Sequence, residues 1–305
     1  MRSGIALALV AGVATAAVAA RVDPSAEQGF PVGVTTLALT DAGRGVTLAT
    51  EVWYPARTEG RDAPLGRGRF PLVLLAHGFC GFRTHYQYLA VHLVRHGFLV
   101  AAPDFPAFTQ ATCDDGVPFA GNDDPPADLS YLRAALRDRA GPAGAFARAV
   151  RGRRAGLVGH SFGGLVVVRA ATADRAFVAV VALAPAAGPL EAGRLAGVHP
   201  RRAVLAMGGT ADALVPVDRA TAPFYEALAP PAFLLRLVGG THGGFSDVDA
   251  GLAPEALARQ QALVRRYATA FLARYLARDR RFVRFLTAED AAAQGADVEL
   301  RASPR

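Results

Sequence analysis

The apolar positions of the chain fall into short continuous runs, alternating with stretches where they recur every three or four residues. Residues 33–40 and 46–54 predict two opening strands joined by a turn at Asp41-Ala42-Gly43-Arg44-Gly45. Residues 71–76 are continuously apolar, the form a strand takes when both its faces are covered. Tyr86, Leu89 and Leu93 follow at helical spacing. Thr84 and Gln87 predict a capping box in front of them, and Gly97 a stop behind. A strand is expected over 98–102, closed by Pro103-Asp104, and then an irregular stretch, 105–127, rich in Pro and Gly. Leu129, Leu132 and Leu136 share a helical face. Further strands are expected over 154–158, 177–183, 203–207 and 232–238, the last after the Pro230-Pro231 break. Leu257, Val264, Ala268, Phe271 and Tyr275 mark a long amphipathic helix. This alternation predicts an α/β fold with a mostly parallel central sheet and helices on both faces. No internal repeat is visible. Too few residues separate the strands ending near Leu183 and starting near Ala203 to build a large lid. Residues 288–305 are small and polar and read as a C-terminal tail.

Composition adds compartment and partners. The chain has 305 residues, 52% hydrophobic and 19% charged, which suits one large domain with a sizeable core and argues against disorder. Met1-Arg2-Ser3 is followed by a small, apolar run to Ala20 with Ala17-Val18-Ala19 near its end. This predicts a signal peptide over 1–19, a catalytic domain over 20–287, and a secreted or periplasmic product. The run is shorter than the about 20 residues that span a bilayer, so no stable membrane insertion is expected after cleavage. Net charge is +7 and every basic residue is arginine. The arginines are scattered, the tightest group being Arg151-Gly152-Arg153-Arg154, and no nucleic-acid motif accompanies them, so no nucleic-acid partner is expected. Cys80 and Cys113 form an even pair that permits one disulfide in an exported chain. Neither has zinc-type spacing to the histidines, so no metal site is expected.

The chemistry centres on Gly159-His160-Ser161-Phe162-Gly163. This G-x-S-x-G pattern closes one apolar run and opens another, the strand–turn–helix context of a nucleophile elbow. Serine needs a base, and the base needs an orienting carboxylate. Only His199 and His242 follow Ser161. His242 lies just after a strand, in Gly239-Gly240-Thr241-His242-Gly243-Gly244, whereas His199 lies in a Val-His-Pro stretch before one. Asp212 lies in the loop at the end of strand 203–207, in Met207-Gly208-Gly209-Thr210-Ala211-Asp212. Its rivals are Asp218, at a helix entry, and Glu226, inside a helical segment. An oxyanion hole is expected from the backbone N–H groups of Phe162 and Phe79, with Gly78 permitting close approach. His77 and His160 are expected to be structural. Phe79, Phe108, Phe162 and Phe245 are candidates for an apolar acyl surface.

The segments Pro31-Val32-Gly33-Val34, Val52-Trp53-Tyr54-Pro55, His77-Gly78-Phe79, His96-Gly97-Phe98, Ala102-Pro103-Asp104, the elbow, Gly209-Thr210-Ala211-Asp212 and Thr241-His242-Gly243-Gly244-Phe245 span nearly the whole mature chain. On them the chain resembles the α/β-hydrolase superfamily. Within it, the likeness is to the secreted branch related to platelet-activating-factor acetylhydrolase and to predicted dienelactone hydrolases. The resemblance implies a serine hydrolase without metal or cofactor, acting through an acyl-enzyme. True dienelactone hydrolases use a cysteine nucleophile where this elbow carries serine. The expected activity is hydrolysis of short-chain acyl esters or acetylated lipids by a monomer. The alternatives are a cutinase-like polyester hydrolase, an amide or peptide hydrolase on the same scaffold, and a binding protein without catalysis.

Overall fold

A computed structural model describes residues 23–27, 29–116, 124–248 and 251–304. The expected signal peptide, 1–19, lies outside the described residues. One ten-stranded sheet organises the chain, in the order β10-β9-β8-β7-β6-β4-β5-β2-β1-β3. Its strands are β1 Val32–Asp41, β2 Val46–Pro55, β3 Gly60–Arg61, β4 Phe70–Ala76, β5 Leu99–Pro103, β6 Val150–His160, β7 Phe177–Leu183, β8 Ala203–Gly209, β9 Ala232–Leu237 and β10 Val298–Ser303. Strands β4 to β9 pair in parallel, while β1, β2 and β10 run antiparallel to their neighbours β2, β5 and β9.

Helices cover both faces: α1 Gln87–Arg95, α2 Gln110–Asp114, α3 Pro125–Ala135, α4 Gly144–Ala147, α5 Phe162–Ala173, α6 Pro189–Val198, α7 Ala222–Glu226, α8 Pro254–Tyr275 and α9 Ala288–Gln294. The apolar run of β4 shows why. Leu72 and Leu74 point into a core shared with α3, α5 and α6, whereas Val73 and Leu75 point into a second core under α1 and α8. Successive strand residues alternate between faces, so a strand sandwiched between helices must be apolar throughout. Each leucine buried this way contributes about 1.5–3 kcal/mol.

Three expectations need correction. Residues 288–305 are not a tail. Thr287 caps α9 by accepting from Asp290 N at 3.1 Å, and β10 pairs along the whole of β9. Val298 and Leu300 alternate inward, which was too short a pattern to stand out among polar neighbours. The Thr84/Gln87 capping box does not form. Helix α1 begins after Tyr86, which makes no side-chain cap, and Tyr88 N instead donates to Asp247 Oδ2 at 3.2 Å. The stretch 105–127 is not wholly irregular, since it holds α2 and the start of α3. Between β7 and β8 the chain makes only α6, whose Ala192 and Leu195 are buried in the core. No helix among the described residues is long and apolar enough to cross a membrane.

Candidate active site

Ser161 lies between the end of β6 and the start of α5 with φ 56° and ψ −119°. A non-glycine residue holds such a conformation only where its surroundings impose it. Here Ser161 N donates to Leu183 O at 2.9 Å, and Ser161 O accepts from Gly164 N and Ala186 N, each at 2.9 Å. The glycines of the motif allow the crossing. A Cβ at Gly159 would collide with the Gly163 carbonyl, and one at Gly163 with the carbonyls of Ala76 and His77.

Asp212 follows β8 and is buried. Its Oδ1 accepts from Leu214 N at 2.9 Å and Val215 N at 2.8 Å, which fixes the carboxylate. Its Oδ2 lies 2.7 Å from His242 Nδ1. A carboxylate can only accept, so Nδ1 carries the proton and the lone pair sits on Nε2. His242 follows β9, and its loop is clamped by Gln260 of α8. Gln260 Oε1 accepts from Thr241 N at 3.1 Å and its Nε2 donates to Thr241 O at 3.0 Å. His160, the residue before Ser161, lies against His242 with ring centroids 4.5 Å apart. The rivals sit elsewhere. His199 ends α6 beside Arg202 and Arg175, Asp218 pairs with Arg236 at 3.0 Å, and Glu226 pairs with Arg301 at 3.5 Å.

The loop after β4 passes over Ser161. An added Cβ at Gly78 would lie 3.5 Å from Ser161 Cβ. His77 is buried and bonded on both nitrogens, Nε2 accepting from Phe105 N at 3.0 Å and Nδ1 donating to Gly78 O at 2.8 Å. Burial depresses its pKa to about 4, so it is neutral near pH 7. Phe162 is the first residue of α5, so its N–H has no carbonyl four residues back within the helix. Cys80, next to Phe79, is bridged to Cys113 with Cα atoms 5.8 Å apart.

Of the four candidate phenylalanines, three come together. The rings of Phe108 and Phe162 lie 4.7 Å apart, and Phe79, 46% exposed, packs 6.4 and 6.2 Å from them. Phe245 does not join them. It is fully buried, 5.6 Å from the His160 ring, because the turn after His242 folds it inward. Sequence reasoning missed Tyr86, Asp247 and Gln260. Their polar partners lie elsewhere in the chain, and no local pattern announces those hydrogen bonds.

The strained serine, the carboxylate-bound imidazole and the strand-end loops occupy the carboxyl edge of a parallel sheet, where open α/β sheets bind ligands. The chain belongs to the α/β-hydrolase family, whose model matches residues 73–303, and it is a hydrolase. A second family model, platelet-activating factor acetylhydrolase isoform II, matches residues 28–113. Among characterised proteins, the chain is similar to bis(hydroxyethyl) terephthalate hydrolase of Streptomyces coelicolor. The two are 26% identical over 259 residues, covering 83% of this chain and 68% of that protein.

Proposed function

We propose that the protein is an exported serine hydrolase of carboxylic esters, with Ser161 as nucleophile, His242 as base and Asp212 as the orienting acid. The observation that carries this reading is the 2.7 Å contact between Asp212 and His242, made at the same sheet edge as the strained Ser161. In this reading Ser161 Oγ attacks the ester carbonyl and His242 Nε2 takes its proton. The negative charge moves to the carbonyl oxygen, facing the Phe79 and Phe162 amides. Collapse expels the alcohol, which takes the proton from His242 and leaves an acyl-Ser161. Water, deprotonated by His242, then releases the acid and restores the serine. The Cys80–Cys113 disulfide supports export, because such bonds persist in oxidising compartments.

A second reading narrows the acyl group. The cluster of Phe79, Phe108 and Phe162 offers ring faces and edges to an aromatic acid, and the terephthalate-ester hydrolase resemblance supports the same class. Aromatic diesters and short aliphatic esters are therefore both proposed substrates. The test is a panel of p-nitrophenyl acetate, longer p-nitrophenyl esters and bis(hydroxyethyl) terephthalate. Ser161→Ala, His242→Ala and Asp212→Asn should each lose about 10³-fold or more in kcat while keeping the native circular dichroism. Full activity in folded His242→Ala would refute the assignment.

A further inference from the structure

We propose that Tyr86 and His160 form a positioning pair that holds the oxyanion loop and the base in a single arrangement. This rests on the serine-hydrolase reading above. Tyr86 precedes α1 and is 2% exposed. Its hydroxyl accepts from Gly78 N at 3.1 Å and lies 2.9 Å from His160 Nδ1. Gly78 N–H can only donate and takes one phenol lone pair; in this proposal the phenol's own proton goes to Nδ1, its other partner within hydrogen-bond reach. His160 is then the Nε2–H tautomer. Complete burial depresses its pKa well below 6.5, so it stays neutral.

Each end of this chain meets the reacting groups. At one end, Gly78 is gripped twice. Tyr86 holds its N–H, and His77 holds its C=O at 2.8 Å. That C=O belongs to the same planar peptide unit as the Phe79 N–H, so fixing one sets the direction of the other. At the other end, the His160 ring lies 4.5 Å from His242 at an interplanar angle of 44°, with Phe245 5.6 Å away. The imidazole of the base thus leans on a ring whose tautomer is set by Tyr86. The base loop returns to the same helix. Asp247 N donates to His85 O at 2.7 Å, Asp247 Oδ2 accepts from Tyr88 N, and Tyr88 OH donates to Phe245 O at 3.1 Å. Oxyanion loop and elbow therefore share one buried hydroxyl, and the base loop is tied to the start of α1, the helix that follows Tyr86.

Preorganised donors stabilise a transition state only when already aimed at the developing charge, so loss of the hydroxyl should reduce kcat more than binding. Tyr86→Phe keeps the ring and removes both bonds. It should lower kcat for p-nitrophenyl acetate about 10- to 100-fold, with KM within about twofold. Thionoesters supply the specific readout, since sulfur accepts oxyanion-hole bonds poorly. The ester-to-thionoester rate ratio should fall in Tyr86→Phe. His160→Leu should match Tyr86→Phe, and the double variant should be no worse than either single one. His160→Gln, whose carbonyl can still accept the phenol proton, should retain activity within about threefold. A folded Tyr86→Phe with full kcat and an unchanged ratio overturns the inference. If Tyr86→Phe does not fold, a fully active His160→Leu overturns it instead. Ser161→Ala is assayed alongside. If it remains active, the serine reading fails and the inference with it. If it is inactive while folded Tyr86→Phe is fully active, only the positioning role fails.

Discussion

Three histidines are buried without charge, and that shapes the response to acid. Burial lowers His77 to about 4 and His92 to about 3, and His160 lies well below the ordinary 6.5. A histidine depressed in the fold binds its proton more readily when unfolded. Stability therefore rises with pH across the window from about 4 to 6.5, and falls as the solution is acidified through it. Each such group changes stability by about 1.4 kcal/mol per pH unit there. Asp247, raised by burial, acts in the opposite direction, but His85 and His199 are also lowered, so it is one group against five. The melting temperature should drop steadily between pH 6.5 and 4.5, and His92→Gln should flatten that slope. A melting temperature constant over the window would contradict this account. At this scale the positions of Ser161, Asp212 and His242 after the ends of β6, β8 and β9 were legible in the sequence, because each directly follows an apolar strand, while their catalytic roles stay part of the proposal. Tyr86 and Asp247 were not, since their hydrogen bonds reach 74 and 159 residues along the chain.

At the scale of elements, the carboxyl edge of the sheet is tied by covalent and backbone links. Cys80 and Cys113 join the loop after β4 to α2, and Gln110 N donates to Gly81 O at 3.1 Å beside them. The bridge closes a loop of 33 residues, for which chain entropy gives about 3–4 kcal/mol. Its neighbour Phe79 carries a proposed oxyanion donor, so loosening the loop should reduce activity before the fold is lost. With dithiothreitol added, ester hydrolysis should decline while far-ultraviolet circular dichroism remains native. Parallel loss of both would make the bridge purely structural. Sequence reading placed the strands from β4 to β9 because continuous apolar runs announce strands covered on both faces. It failed at β10, where only Val298 and Leu300 turn inward, and at the start of α1, where the cap comes from a distant loop. Phe245 was misplaced for a related reason. Its residue type suits a pocket wall or a core equally, and only the turn after His242 decides.

Over the whole molecule, the cores on the two faces of one sheet leave its carboxyl edge, which holds the proposed site, to loops. The segment between β7 and β8 is spent on α6, which is packed into the core, and Phe79 stands exposed beside the elbow. Hydrolysis of soluble short-chain esters should therefore follow ordinary saturation, with no jump as a substrate crosses its critical micelle concentration. A sharp jump, with negligible rate on soluble esters, would imply a cover over the serine.

In the proposed mechanism, Oγ of Ser161, activated by His242, takes the acyl group. Treating the protein with a fluorophosphonate and mapping the adduct by peptide mass spectrometry tests it directly. A single stoichiometric adduct on Ser161 is expected, formed in step with loss of esterase activity and strongly slowed in His242→Ala. Adduct formation on another residue, or full esterase activity with Ser161 blocked, would contradict it.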